Sequence, residues 1–167
     1  MPPPKNRLDL YCCKTNDPTP ISIEAYTQLM THWREKNMIG NRARCANNRI
    51  VHGGIDRIWL DQPGKLILYA NNQGGFRVHC PTTNQPVARE FSKALTKWRQ
   101  ETGPRSMPCP ACGHTHKLDA LQVAPPIQFA NGALVFSGVN DIDLTVEATQ
   151  DIHAFIGPFK VVMTRRS

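Results

Sequence analysis

Long hydrophobic runs are absent from this sequence of 167 residues. Its longest apolar run, residues 66–70, has five residues, whereas a membrane-spanning helix needs about 20. The basic start of the chain is not followed by the apolar segment of a secretory leader, and the last residues offer no cysteine for lipidation. These absences predict a cytoplasmic protein that has no membrane-spanning segment.

The sequence also lacks the patterns that mark nucleotide-binding loops and common catalytic sites. Its glycine pairs, at 53–54 and 74–75, are not part of a Gly-x-Gly-x-x-Gly or Gly-Lys-Ser/Thr motif that opens a helix. Six histidines are present, but spacing alone pairs none of them with a nucleophile, because catalytic partners meet in space and not in sequence order. We therefore expect the protein not to be an enzyme.

Acidic residues are outnumbered, since 20 Lys and Arg face 13 Asp and Glu and give a formal charge of +7. Residues 1–118 contain 17 basic and 8 acidic residues, whereas residues 119–167 contain 3 and 5. A basic surface attracts anionic partners such as nucleic acids. The candidate contacts lie in one turn-rich segment and on one predicted helix face: Arg42, Arg44, Arg49, Arg89, Lys93 and Lys97. Solvated helix faces also look like this, and aromatic residues make up only 7%.

Hydrophobic periodicity predicts an α+β fold. Apolar spacing of 3.6 residues predicts helices after Ser22, after Pro86 and from about Asp143. Runs of β-type residues separated by turn residues predict strands at 8–13, 49–52, 57–60, 65–70, 76–80 and 159–164, with those between 49 and 80 forming an antiparallel meander. The third helix is expected to have Asn140 or Asp141 as its N-cap. We expect one α+β domain over residues 1–167, with an antiparallel sheet and two or three amphipathic helices.

The six cysteines are the most informative residues, because in a reducing compartment they indicate metal ligands or buried thiols more than disulfides. Cys109 and Cys112 are three positions apart and Gly113 follows, which is the spacing of a turn that presents two sulfurs to one metal ion. Cys80 follows a predicted strand and precedes Pro81, as at the start of a second turn of this kind. This spacing predicts a metal site.

Together these residues resemble the zinc ribbon, a module with two such turns, over about residues 76–118. The second turn matches in Cys109, Cys112 and Gly113; the first matches only in Cys80 and Pro81, because Thr83 stands where a second cysteine is expected. The resemblance implies a structural Zn²⁺. We expect His114 to be the fourth ligand, while His79, His116, Cys45 and one of Cys12 and Cys13 remain alternatives. A site without metal, in which these thiols are simply buried, is a further alternative. Cys12 and Cys13 are expected to be buried thiols.

Two catalytic alternatives share part of this pattern. Zinc deaminases have a Pro-Cys-x-x-Cys segment like residues 108–112, but they also need a glutamate after an upstream His or Cys, and Pro81 and Thr82 stand there. Disulfide oxidoreductases need a helix after Cys-x-x-Cys to lower the thiol pKa, and residues 113–116 do not resemble a helix start. Neither alternative is preferred.

By elimination, the sequence predicts a non-enzymatic binding protein with a structural zinc site that acts through a protein partner. Small bacterial adaptors and immunity proteins are comparable in class. Nucleic-acid binding by the basic residues of positions 1–118 is the second hypothesis, because zinc ribbons often serve in transcription and translation.

Overall fold

A computed structural model describes residues 8–15, 19–40, 48–71, 75–140 and 143–165. These residues form ten strands, three α-helices and one short 3₁₀ turn, and all the strand pairings among them are antiparallel. The predicted α+β class is therefore confirmed. The elements are β1 Leu8–Lys14, α1 Ile23–Glu35, β2 Arg57–Asp61, β3 Ile67–Tyr69, β4 Arg77–His79, α2 Ala88–Arg99, β5 Ser106–Pro108, β6 Thr115–Lys117, the 3₁₀ turn Leu118–Ala120, β7 Gln122–Ala124, β8 Gln128–Ala130, β9 Ala133–Val139, α3 Val146–Phe155 and β10 Phe159–Arg165.

The chain divides into two compact units. Unit 1 consists of residues 1–73 and 128–167, and unit 2 consists of residues 74–127. The zinc-ribbon-like element that the sequence predicts at 76–118 falls entirely within unit 2. The expectation that all 167 residues form one domain stays a prediction.

A four-stranded sheet with the order β10-β1-β9-β2 forms the centre of unit 1. Strand β9 is buried along its whole length, because both faces of the sheet are covered and a strand in such a place loses the alternation of apolar and polar residues. Leu10 of β1 lies opposite Phe136 of β9, which in turn lies opposite Ile58 of β2. These three side chains belong to one core cluster with residues of α1 and α3.

The other face of the sheet has its own core cluster, which contains Cys13, Val135 and Tyr69 of β3. Consecutive residues of a strand point to opposite faces. Cys12 therefore packs in the helix-side cluster and Cys13 in the opposite one, and both thiols are buried. The sequence correctly predicted buried thiols here, and burial raises the pKa of both.

Two helices of unit 1 begin at side-chain caps. The Ser22 hydroxyl accepts a hydrogen bond from the Ala25 N–H at 3.0 Å, and the Thr145 hydroxyl accepts one from the Ala148 N–H. Such caps satisfy backbone donors that have no partner within the helix. Asn140 and Asp141 were predicted as the cap of α3, which is wrong, because that helix begins later in the chain.

Unit 2 is built from short elements. Its four strands have three residues each and form two two-stranded pairs, β4 with β7 and β5 with β6. Phe91 of α2 is buried and its ring makes an edge contact with Phe76 at 6.1 Å between centroids. Helix α2 contacts β4, β5 and the 3₁₀ turn, so its apolar face packs against both strand pairs.

The predicted meander is wrong in its pairings. Strands β2, β3 and β4 exist near their predicted positions, but they pair with β9, β8 and β7 respectively. Residues 49–52 contribute a single bridge, between Val51 and Leu144. A period of two residues identifies a strand, but the choice of partner depends on which apolar faces meet after the chain has folded.

Among the described residues, none of the helices combines the length and the apolar character that crossing a membrane requires. That the protein is cytoplasmic stays a prediction.

Candidate metal centre

The second predicted cysteine turn lies in the loop that joins β5 to β6. The Gly113 N–H donates to the carbonyl of Cys109 at 2.9 Å, and the Cys109 N–H donates to the carbonyl of His114 at 2.8 Å. Gly113 has φ +76°, a left-handed conformation that glycine adopts without a steric cost. This explains why a glycine follows the second cysteine.

The chain after Cys80 has the same backbone geometry. The Asn84 N–H donates to the carbonyl of Cys80 at 2.9 Å, and the Cys80 N–H donates to the carbonyl of Gln85 at 2.9 Å. Asn84 takes the position of Gly113, with φ 59°, and asparagine tolerates this conformation better than most residues. The bridge between His79 and Pro86 matches the pairing of Pro108 with Thr115.

The two turns therefore correspond residue by residue, with equivalent hydrogen bonds at equal spacing from Cys80 and from Cys109. Thr83 corresponds to Cys112, and Val87, which hydrogen-bonds to the backbone of Val78, corresponds to His116. The first turn thus keeps the backbone of a metal-binding turn while its second sulfur is replaced by a hydroxyl. This hydroxyl is close enough to the Cys80 sulfur to lower the pKa of that thiol.

Four donor atoms from the two turns converge on one point. The Sγ atoms of Cys80, Cys109 and Cys112 and a ring nitrogen of His116 all lie within 4.8 Å of one another. The Nε2 atom of His116 lies 3.1 Å from the Cys112 sulfur and 3.9 Å from the Cys80 sulfur. Cys80 and Cys109 are buried, whereas Cys112 and His116 are half-buried.

The surroundings of Cys80 favour a thiolate. Hydrogen bonds from the Thr83 hydroxyl and from the backbone of Thr83 and Thr82 lower the pKa of Cys80 to about 5, although burial opposes this. At Cys112 a hydrogen bond with the backbone of His114 also favours the thiolate, but burial and the adjacent Cys80 and Cys109 sulfurs raise its pKa. Three sulfurs in such proximity repel one another when ionised, and a cation removes that repulsion.

The donor set fits a metal ion that prefers sulfur and nitrogen. Tetrahedral Zn²⁺, with Zn–S bonds of about 2.3 Å and slightly shorter Zn–N bonds, places neighbouring ligand atoms roughly 3.5–3.8 Å apart. The two distances from His116 to sulfur lie on either side of this range. The cluster contains no carboxylate, which disfavours Mg²⁺ and Ca²⁺.

His116, and not His114, is the histidine that joins the three sulfurs. His114 lies in the turn itself, where its carbonyl accepts the Cys109 N–H, and its side chain is exposed. His116 lies on β6 opposite Met107, and its ring is half-buried against the cluster. Which histidine joins the cluster therefore depends on its position in the β5–β6 hairpin, and not on how close it is to the cysteines in sequence.

The other predicted site residues lie elsewhere. His79 is on β4 and is not part of the cluster, and Cys45, Arg42 and Arg44 fall outside the described residues. Arg49 belongs to unit 1, where its guanidinium lies 4.0 Å from the Glu147 carboxylate. The three basic residues of α2, Arg89, Lys93 and Lys97, are all exposed on unit 2.

Comparisons of the chain with protein-family models, with curated proteins and with solved structures found no match.

Proposed function

We propose that Cys80, Cys109, Cys112 and His116 bind one structural Zn²⁺ and that unit 2 is a zinc-ribbon-like binding module. The observation that carries the proposal is the convergence of four sulfur and nitrogen donors from two turns of equal backbone geometry. When bound, the ion joins the two turns. It thereby adds to the small apolar core of these 54 residues, which includes Phe91, Met107 and Leu118.

A structural role is favoured over a catalytic one. Four protein ligands fill a tetrahedral Zn²⁺, whereas catalytic zinc keeps one position for water or substrate. The donor group includes no carboxylate that could act as a general base. The protein therefore acts, in this proposal, by binding and not by catalysis.

The proposed partner is another protein, and the role is that of an adaptor or of an inhibitor of the immunity type. Unit 2 contains 7 Lys and Arg and 3 Asp and Glu, a net charge of +4 in one third of the chain. The partner surface is then expected to be acidic.

Elemental analysis of the purified protein tests the metal. The expected result is one Zn²⁺ per chain, lost in Cys109→Ser, and an intense sulfur-to-metal absorption band when Co²⁺ replaces Zn²⁺. A Cys13→Ala variant is the control, because that thiol lies in the sheet core of unit 1. A zinc content far below one per chain, together with no response to a chelator, would overturn the proposal.

Affinity purification with the zinc-loaded chain as bait tests the partner. The expected result is one defined protein that is retained after nuclease treatment and absent when Cys109→Ser is the bait. Retention only in samples without nuclease would overturn the protein-partner proposal.

Nucleic-acid binding is the second candidate, because Arg89, Lys93 and Lys97 are all exposed along α2. Each phosphate contact made by such a side chain steepens the fall of affinity with salt. The measurement is binding of single- and double-stranded oligonucleotides between about 50 and 200 mM salt. No binding at the lower salt concentration would eliminate this candidate.

A further inference from the structure

A groove on unit 2 lies between α2 and the hairpin of β5 and β6. Its volume is about 480 Å³, and it is partly open to solvent. Most of its surface is apolar, and its lining includes Ala94, Met107, Pro108 and Pro104. An exposed apolar surface rimmed by polar groups is typical of a binding site.

Two lysines of α2 line the same groove. Lys93 and Lys97 are four residues apart, so both project from one helix face, and both are exposed. Within the part of the chain that the structure describes, neither ammonium group is in an ion pair. Glu90 also lines the groove, one turn before Lys93 and two turns before Lys97, so Lys97 is the lysine farther from that carboxylate along the helix.

The loop after α2 fixes the position of Lys97. The Thr102 N–H and hydroxyl both donate to the Lys97 carbonyl, at 2.9 and 3.1 Å. Gly103 then passes so close that a Cβ atom there would lie 3.1 Å from the Lys97 Cβ. Because the residue at 103 has no side chain, the loop can pack against the aliphatic part of Lys97, which lines the groove.

The opposite wall of the groove belongs to the metal-binding hairpin. Ser106, Met107 and Pro108 of β5 and Thr115 of β6 line it, and the loop and strand that follow Pro108 supply three of the four donors. The metal that we propose for this site would therefore hold one wall of the groove in place.

We propose that this groove binds an extended peptide segment of a partner protein in which acidic residues flank a large apolar side chain. The proposal rests on the function proposed above and names the chemistry of the partner. The apolar floor suits a side chain such as Leu or Phe, and the two ammonium groups suit carboxylates next to it. A nucleic acid fits less well, because the lining residues include no aromatic ring on which a base could stack.

Selection from a phage-displayed library of random heptapeptides, with the immobilised zinc-loaded full chain as target, tests this proposal. The expected consensus has at least two Asp or Glu next to one large apolar residue. A synthetic fluorescent copy of the consensus peptide is then titrated with the protein, and its affinity is measured by fluorescence polarisation. The result expected for Lys93→Glu/Lys97→Glu is at least a tenfold loss of affinity.

The matched control is Arg89→Glu/Arg99→Glu. It makes the same change of charge on exposed residues of the same helix, but neither arginine lines the groove. The control is expected to change the peptide affinity less than threefold. Equal losses of peptide affinity in the two double variants would show that the groove is not the binding site. Because a peptide consensus would still have been selected, that result would not contradict the proposed binding of a protein partner.

Two further outcomes also overturn the proposal. A consensus without acidic residues would show that the groove does not select carboxylates. In the second outcome the selection gives no consensus, while a 12-nucleotide strand binds in a salt-dependent way that both double variants weaken equally. This combined result would favour nucleic-acid binding, and it would overturn the protein-partner function proposed above as well.

Discussion

Strand β9 at the centre of unit 1 has seven buried residues, whereas each strand of unit 2 has only three residues. Unit 1 covers both faces of its sheet with apolar side chains. Unit 2 has one α-helix, two short pairs of strands and the donor cluster. From this difference we predict that the stability of unit 1 comes mainly from hydrophobic burial, and that unit 2, with its smaller core, also needs the metal that we propose.

Removal of the metal is expected to have the largest effect, and to act on one unit. Structural Zn²⁺ contributes an apparent 10–16 kcal/mol to the folding of small metal-binding domains, roughly. A chelator should therefore abolish the hydrogen-exchange protection of residues 75–127 while that of unit 1 persists. Mass spectrometry of exchanged peptides measures both, and Cys13→Ala should respond in the same way as the wild type.

Simultaneous loss of protection in both units would contradict this comparison. It would instead support the sequence-based expectation of one domain over residues 1–167, folded in a single cooperative transition.

The converse experiment removes a side chain from the core of unit 1. Phe136 is fully buried and its ring lies 6.1 Å from that of Trp33. Phe136→Ala should lower the free energy of unfolding of unit 1 by about 3–5 kcal/mol, because it removes apolar contacts and leaves a cavity. Urea denaturation followed by circular dichroism measures this loss, and competition with a chelator measures zinc affinity, which should not change.

A suitable control is Val146→Ala, because that side chain is 74% exposed. Its effect should stay within about 0.5 kcal/mol. A lower zinc affinity in Phe136→Ala would show that the two units are energetically coupled.

The third prediction concerns the two equivalent turns of unit 2. His116→Ala should weaken zinc binding at least tenfold, because it removes a ligand. Adding Thr83→Cys to that variant should restore most of the affinity, since Thr83 corresponds to Cys112 and its hydroxyl already reaches the Cys80 sulfur. Chelator competition gives the affinity, and Co²⁺ absorption should show a fourth thiolate.

His114→Ala provides the comparison, because that exposed side chain lies outside the donor cluster and its loss should leave zinc affinity unchanged. If Thr83→Cys did not restore zinc binding, the two turns would be equivalent in their backbone hydrogen bonds but not in the position of a side chain that can bind the metal.

The sequence predicted local features well in both units. Strand β1, the start of α1 after Ser22 and the Cys109–Cys112 turn depend on residues that are close in sequence. Apolar spacing, helix capping and ligand spacing each depend on residues within one short segment. That segment alone is therefore enough to predict the feature.

Features that depend on distant segments were missed. The partner of β2 is β9, about 75 residues later, and the fourth donor is set by the pairing of His116 with Met107. The sequence shows that Thr83 stands three residues after Cys80, as Cys112 stands after Cys109. It does not show that the backbone after Cys80 forms the same hydrogen-bonded turn. Register and pairing appear only when the chain has folded.

The smallest expected effect on stability comes from removing a side-chain cap at the start of a helix. In unit 1 the Ser22 hydroxyl caps α1, whereas α2 of unit 2 has no side-chain cap. Ser22→Ala should lower the free energy of unfolding of unit 1 by about 1 kcal/mol, because one backbone N–H loses its partner. Ser92→Ala on the exposed face of α2 should leave unit 1 unchanged. Thermal unfolding of the two variants measures the difference, and equal shifts in both would contradict a specific capping role for Ser22.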